Sequence, residues 1–74
     1  MNYSERMKLL RKGHHDSQQK VASVLGIALR TYQYYERGER EPTVSVIIAL
    51  ANLYGVSADY LLGMSDNPHP ERDW

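Results

Sequence analysis

Apolar residues recur at helical spacing in two neighbouring segments of the chain. They are Val21, Ala22 and Leu25 in the first segment, and Ala28, Tyr32 and Tyr35 in the second. Gly26 lies between the segments, and glycine readily adopts the positive φ that ends a helix. Ala22 is small enough to let a second helix cross the first at close range. The pattern therefore predicts two helices, 18–25 and 28–37, joined by a tight turn.

Three further helices are predicted around this pair. Asn2 and Glu5 have the spacing of a capping box, and we expect the helix that they begin to end near Lys12, with Gly13 as its C-terminal cap. Residues 44–54 and 58–62 form two more helices, each preceded by a capping hydroxyl and followed by glycine. The predicted buried stripe of helix 44–54 comprises Val44, Ile47, Ile48, Leu50, Ala51 and Tyr54. The sequence thus predicts a small all-α fold of five helices.

The second helix of the tight pair has a polar outer face. Its members recur at i, i+3, i+4 and i+7 opposite the apolar face, with one leucine at the margin. They are Arg30, Gln33, Tyr34 and Arg37, which we call the recognition face, and the marginal residue is Leu29. In a DNA groove a guanidinium pairs well with guanine, an amide pairs with adenine, and an aromatic ring can meet a thymine methyl group or a phosphate.

Two parts of the sequence resemble a known family. The spacing of seven residues resembles the helix-turn-helix of the Cro and phage-repressor (XRE) family: Gln18, Ala22, Gly26, Tyr32, Tyr35, Glu36 and Gly38. The segment YGVSADYLLGMSDNP, residues 54–68, resembles the last helix and exit of phage-repressor domains. The resemblance covers residues 4–67. It implies a five-helix lambda-repressor-like DNA-binding domain over residues 1–66, followed by a flexible tail or linker stub, 67–74.

The same resemblance implies a function. We expect a sequence-specific double-stranded DNA-binding transcriptional regulator, acting as a repressor, that places helix 28–37 in the major groove. A unit of this size covers one half-site, so a homodimer on a palindromic operator is expected, with half-sites ~34 Å apart. Such a protein would act in the cytoplasm at the nucleoid, and be bacterial or phage-encoded.

The outward face of the helix and the resemblance together predict roles for individual residues. The expected base contacts are Leu29, Arg30, Gln33 and Tyr34. The expected contacts to the DNA backbone are Gln18, Arg37 and Arg40. Arg11 and Glu36 match family positions that form a largely buried ion pair. Ala28 stands where the family often has Ser or Thr, so its helix lacks the usual side-chain cap. Two alternatives stay open, namely that Gln18 only favours a helix start and that Arg40 is a plain exposed arginine beside two glutamates.

Composition argues against other classes of function. The chain has 74 residues, 42% of them hydrophobic, which suffices for one small domain. Without cysteine it has neither disulfides nor thiolate metal ligands. It has no glycine-rich phosphate loop and no nucleophile spaced to meet a base, so we expect no enzyme, no catalytic residue and no cofactor. His14, His15 and Asp16 lack further ligands at helical spacing, so no metal site is expected.

The formal net charge is zero, but the charges are unevenly distributed. Residues 1–40 contain eight basic and four acidic residues, whereas residues 41–74 contain one basic and five acidic residues. Because phosphate attraction depends on local charge, the first half can bind DNA while the acidic half limits non-specific binding. Two ordinary solvated surfaces are the alternative explanation.

Apolar positions outside the predicted core indicate protein partners. The candidates for a dimer surface are Val24, Val46, Leu53, the last helix and Met64. A sensor domain following Trp74, or a separate protein partner, would also fit the sequence. The longest apolar tract, 44–56, is interrupted by polar residues, so we expect no membrane span. The alternative function is an antitoxin or anti-repressor-type protein-interaction module on the same scaffold.

Overall fold

The computed structural model describes residues 1–69, and these residues contain five α-helices joined by short turns and loops. They are α1 (Tyr3–Gly13), α2 (Gln18–Leu25), α3 (Leu29–Glu36), α4 (Val44–Tyr54) and α5 (Ala58–Leu61). These residues contain no strand, and the predicted all-α, five-helix architecture is confirmed. None of the five helices has the length and hydrophobicity that crossing a membrane requires. Most of the predicted tail, residues 70–74 with Trp74, lies outside the described residues.

All five helices contribute to one hydrophobic core. Its fully buried members are Met7 of α1, Val21 and Ala22 of α2, Tyr32 of α3, Leu50 of α4 and Leu61 of α5. Burying a large apolar side chain contributes about 1.5–3 kcal/mol, and helices this short depend on such packing because they are marginal in isolation. Helix α3 packs against both α1 and α2. Its apolar side, Tyr32 and Tyr35, is thereby held inward.

The turn between α2 and α3 forms as predicted. The Ser17 Oγ caps α2 by accepting a hydrogen bond from the Lys20 amide at 3.0 Å. Gly26 has a φ of 70°, in the left-handed region where glycine is favoured. The Ile27 amide donates to the Ala22 carbonyl at 3.0 Å and closes the helix end. These local bonds fix where α3 begins relative to α2.

Helix α3 is one residue shorter at each end than predicted. Ala28 is the N-cap, with an extended backbone (ψ 146°), and its side chain makes no hydrogen bond to the helix, as expected. Arg37 is the C-cap, and Gly38 follows with a φ of 74°. The predicted range of 28–37 therefore included both caps, because capping residues continue the side-chain periodicity without being fully helical.

The end of α1 differs from the prediction. Gly13 is the last helical residue and not the cap, and the positive φ, 59°, falls on His15. The Asp16 amide donates to the Arg11 carbonyl at 3.0 Å, which completes the helix end. The glycine signal was wrong because histidine is one of the residues that tolerate the left-handed conformation, and the hydrogen bonds of the turn place it there.

The buried face of α4 is rotated relative to the predicted one. Val46 is buried, with 7% of its surface exposed, whereas Val44 and Ile48 are 75% and 54% exposed. The prediction was wrong for these three residues because α4 is apolar on nearly all sides, so that its periodicity does not select one face. Val46 therefore cannot belong to a dimer surface. The other single residues proposed for that surface are exposed: Val24, Leu53 and Met64.

Candidate nucleic-acid interface

The outer side of α3 carries the recognition face. Burial of Tyr32 and Tyr35 on the inner side leaves Arg30 and Arg37 exposed. Three further predicted base contacts are partly buried, namely Leu29, Gln33 and Tyr34. The structure thus brings the predicted base contacts to one helix and leaves at least part of each side chain open to solvent.

Below this face, Arg11 and Glu36 form an ion pair that links α1 to the end of α3. Arg11 Nε lies 2.6 Å from Glu36 Oε2, and Arg11 Nη2 donates to Glu36 Oε1 at 3.1 Å. The Glu36 side chain is only 1% exposed and that of Arg11 12%. Two parallel hydrogen bonds between charged partners give a fixed geometry as well as attraction.

Two glutamines extend this ion pair to the protein surface. Gln18 Nε2 donates to Glu36 Oε1 at 3.1 Å, and Gln33 Nε2 donates to Gln18 Oε1 at 3.2 Å. A carboxylate only accepts hydrogen bonds, so Gln18 must direct its NH₂ group to Glu36 and its oxygen to Gln33. The buried charge of Glu36 thus fixes the orientation of Gln18, and Gln18 in turn orients the Gln33 amide. We call Arg11, Glu36, Gln18 and Gln33 the polar chain.

The polar chain keeps its buried carboxylate ionised. Burial opposes the charge on Glu36, but the hydrogen bonds from Arg11 and Gln18 favour it, and the pKa of Glu36 lies below its usual value. The hydrogen bond to Glu36 likewise raises the pKa of Arg11. Both partners are thus charged at neutral pH, and removing either one would leave the other buried and unpaired.

A second group of side chains lies at the end of α3. The guanidinium carbon of Arg40 is 4.5 Å from the centroid of the Tyr34 ring, and that of Arg37 is 5.4 Å away. Both distances are within the range of cation–π attraction. We call Tyr34, Arg37 and Arg40 the cationic cluster. It joins one predicted base contact, Tyr34, to two predicted backbone contacts.

One contact to this cluster was missed in the sequence. The Tyr3 hydroxyl, at the start of α1, donates to the Arg40 carbonyl at 3.0 Å. The two residues are 37 positions apart, and neither helical periodicity nor a local motif relates them. Arg37 has a neighbouring partner of its own, since its Nε lies 3.1 Å from Glu39 Oε1.

Two of the residues considered as metal ligands, His14 and Asp16, have other contacts. The His14 Nδ1 lies 2.9 Å from the Leu10 carbonyl, and the His14 ring lies 4.7 Å from the Tyr54 ring, measured between centroids. Asp16 pairs with Lys20 Nζ at 2.8 Å, and this hydrogen bond lowers the pKa of Asp16. Within residues 1–69, no three side chains of metal-binding type lie together.

Comparison with protein families identifies the motif. The helix-turn-helix family HTH_3 matches residues 7–61. The HTH-type transcriptional regulator YobD of Bacillus subtilis (strain 168), itself uncharacterized, is 39% identical over 69 residues, which cover 93% of this chain and 62% of YobD. The transcriptional repressor RstR of cryptic phage CTXphi, from Vibrio cholerae serotype O1, is 35% identical over 63 residues, covering 85% of this chain and 56% of RstR. This chain therefore spans less than two thirds of the length of these relatives.

Solved structures agree with the family match. The crystal structure of the P22 c2 repressor in complex with a synthetic operator has a TM-score of 0.81 at 28% identity, and the match covers 88% of this chain and 98% of that chain. A transcriptional regulator from Listeria innocua also has a TM-score of 0.81, at 29% identity, covering 99% of this chain and 64% of that chain. The predicted lambda-repressor-like fold is thereby confirmed. The chain belongs to the helix-turn-helix family, with the fold of phage repressor DNA-binding domains.

Proposed function

We propose that this chain is a sequence-specific double-stranded DNA-binding regulator of transcription, and that it acts as a repressor. The observation that carries the proposal is the solvent-accessible recognition face on α3, in a fold that matches a repressor in complex with a synthetic operator. In this proposal α3 lies in the major groove, where a helix can contact base edges. The repressor assignment is supported by phage relatives that are named as repressors.

The proposed base contacts follow from the donors and acceptors that each side chain offers. Arg30 is exposed and can donate two hydrogen bonds to guanine. Gln33 uses one N–H on Gln18, which leaves its second N–H and its carbonyl oxygen for adenine. Leu29 can pack against a thymine methyl group. The Tyr34 ring lies under the Arg40 guanidinium at 4.5 Å, and we leave Tyr34 out of the proposed base contacts.

The proposed backbone contacts lie at the two ends of the proposed base contacts. Gln18 begins α2, where free backbone amides and the helix dipole favour a phosphate. Its own side-chain NH₂ retains one N–H after the bond to Glu36. Arg37 and Arg40 supply positive charge at the other end of α3. Contacts of this kind fix the register of the protein without selecting sequence.

We further propose that the chain binds as a homodimer to a palindromic operator. A single module of this size covers one half-site, and exposed apolar residues are available for self-association. They are Val44, Ile48, Leu62 and Met64, together with Val24 and Leu53. Sedimentation at increasing concentration should show a dimer, and Ile48→Asp should weaken it. Leu9→Asp, which changes an exposed leucine on α1, is the matched control.

Selection of bound duplexes from a random pool tests the function. The purified protein should enrich a palindromic sequence, and titration of that duplex should show a preference of ~10³ or more over unrelated DNA. The titration is repeated at a second salt concentration to separate phosphate contacts from base contacts. Absence of any enriched sequence would contradict the proposal and favour the protein-interaction alternative.

A further inference from the structure

Arg40 is fixed at two points although it lies in an exposed loop. Its carbonyl oxygen accepts the hydrogen bond from the Tyr3 hydroxyl at 3.0 Å, and its guanidinium lies over the Tyr34 ring at 4.5 Å. Tyr3 belongs to α1 and is half-buried against the core, and Tyr34 belongs to α3. The main chain and the side chain of one loop residue are thus tied to two different helices.

This arrangement leaves the donors of Arg40 available. The cation–π contact with Tyr34 involves no hydrogen bond, so it occupies none of the five guanidinium N–H donors of Arg40. No carboxylate within residues 1–69 forms an ion pair with Arg40, in contrast to Arg37, which pairs with Glu39. A phosphate approaching the end of α3 would therefore find an ordered cation with free donors.

An arginine that is ordered before DNA binds loses less conformational entropy on binding. A free arginine side chain loses much rotamer entropy when a ligand immobilises it, and a loop backbone loses more. Contacts that hold the bound conformation in advance reduce that loss and so increase affinity. Tyr3 and Tyr34 provide such contacts for Arg40.

We propose that Tyr3 and Tyr34 are positioning residues that hold Arg40 ready to bind a phosphate of the DNA backbone. The inference rests on the proposed DNA-binding function and deepens it. It gives Tyr34 the role of a platform for a cation, and it gives Tyr3, which lies outside the helix-turn-helix, a role in binding. Because the contact is to phosphate, its effect should be the same on every sequence.

The test for Tyr3 removes a single atom. Tyr3→Phe keeps the packed ring and loses only the hydrogen bond to the loop, and it should weaken binding to selected and unrelated duplexes alike by about threefold. In an Arg40→Ala background, the same change should have no effect on binding. A merely structural role for Tyr3 predicts an equal loss in both backgrounds, and that result would overturn the proposal.

The test for Tyr34 separates its ring from its hydroxyl. Tyr34→Phe should bind like the unmodified chain, whereas Tyr34→Leu should lose about two- to fivefold on every duplex because the cation loses its platform. The loss should again vanish when Arg40 is alanine. A change of base preference in either Tyr34 variant would instead make Tyr34 a base contact and contradict the platform role.

The two proposals fail in different ways. If the unmodified chain enriches no duplex, the proposed function is wrong and the role of Arg40 in DNA binding is lost with it. If the unmodified chain selects a sequence but Tyr3→Phe and Tyr34→Leu bind as well as it does, only the positioning role is wrong. Melting temperatures of all variants, measured in parallel, identify any loss that comes from unfolding.

Discussion

The polar chain and the cationic cluster both involve α3, but they differ in their exposure to water. In the polar chain the Glu36 side chain is 1% exposed, and its geometry is fixed by hydrogen bonds to Arg11 and Gln18. In the cationic cluster the Arg37 side chain is 55% exposed, and both arginines lie within cation–π distance of the Tyr34 ring. The ion pair of the first group is buried, whereas the arginines of the second group lie on the surface.

This difference determines what each group contributes. A charge that has lost its water must keep its partner, because an unpaired buried charge is strongly unfavourable. A charge that keeps its water gains little from a neighbouring opposite charge and remains available to a ligand. We therefore expect changes in the buried pair of the polar chain, Arg11 and Glu36, to act on stability, and changes in the cationic cluster to act on DNA binding alone.

The largest expected effect is a loss of stability when the ion pair of the polar chain is broken. Glu36→Ala should lower the free energy of unfolding by about 3–5 kcal/mol, because it leaves the Arg11 guanidinium without its partner. Urea unfolding measures the change. The matched control is Glu39→Ala, which breaks the half-exposed pair with Arg37 and should change stability by less than about 1 kcal/mol. Equal stabilities of the two variants would remove the distinction between the groups.

A smaller loss of stability is expected in acid. The pKa of Glu36 is lower in the folded chain than its usual value, so the unfolded chain binds more protons as the pH falls. The stability that Glu36 contributes should be complete above the ordinary glutamate pKa of about 4.3 and should decline as the pH falls below it. Urea midpoints measured across this range should decline less steeply in Glu36→Gln. An unchanged slope would show that another group controls the acid transition.

Arg30→Ala should act on sequence recognition without affecting stability. Its side chain is exposed and belongs to neither group, so the melting temperature should stay the same. Binding to the selected duplex should weaken by about 1–3 kcal/mol, with relaxed preference at one base pair. Equal losses on selected and unrelated DNA would contradict a base contact.

The smallest expected effect is a loss of DNA affinity when an arginine of the cationic cluster is removed. Arg40→Ala should weaken binding to all sequences alike, and the slope of log affinity against log salt concentration should decrease by about one. The melting temperature should not change. A loss of affinity restricted to the selected duplex would show that Arg40 contacts a base and not the DNA backbone.

Local sequence signals predicted most of the fold. Ser17 and Gly26 each act through neighbouring backbone groups, so the bounds of α2 could be predicted from the sequence. The buried face of α4 could not be predicted, because Val44, Val46 and Ile48 are equally apolar and only tertiary packing distinguishes them.

Contacts between distant residues explain what the sequence did not predict. The family resemblance related Arg11 to Glu36, but no pattern relates Tyr3 to Arg40. The same holds for buried Arg6, which stacks on the Tyr60 ring at 3.8 Å and lies 3.5 Å from Asp66. The hydrogen bond between Gln33 and Gln18 was not predicted either, because the sequence indicated only a DNA contact for each residue.

The central claim is that the outer side of α3 contacts DNA, and amide NMR of the isotopically labelled protein tests it most directly. Titration with the selected duplex should shift the signals of residues 29–37, the start of α2 and Arg40. Shifts of Val44, Ile48 and Met64, which belong to the proposed dimer surface, would report dimerisation and not DNA contact. Shifts confined to those apolar residues, with α3 unaffected, would contradict the account.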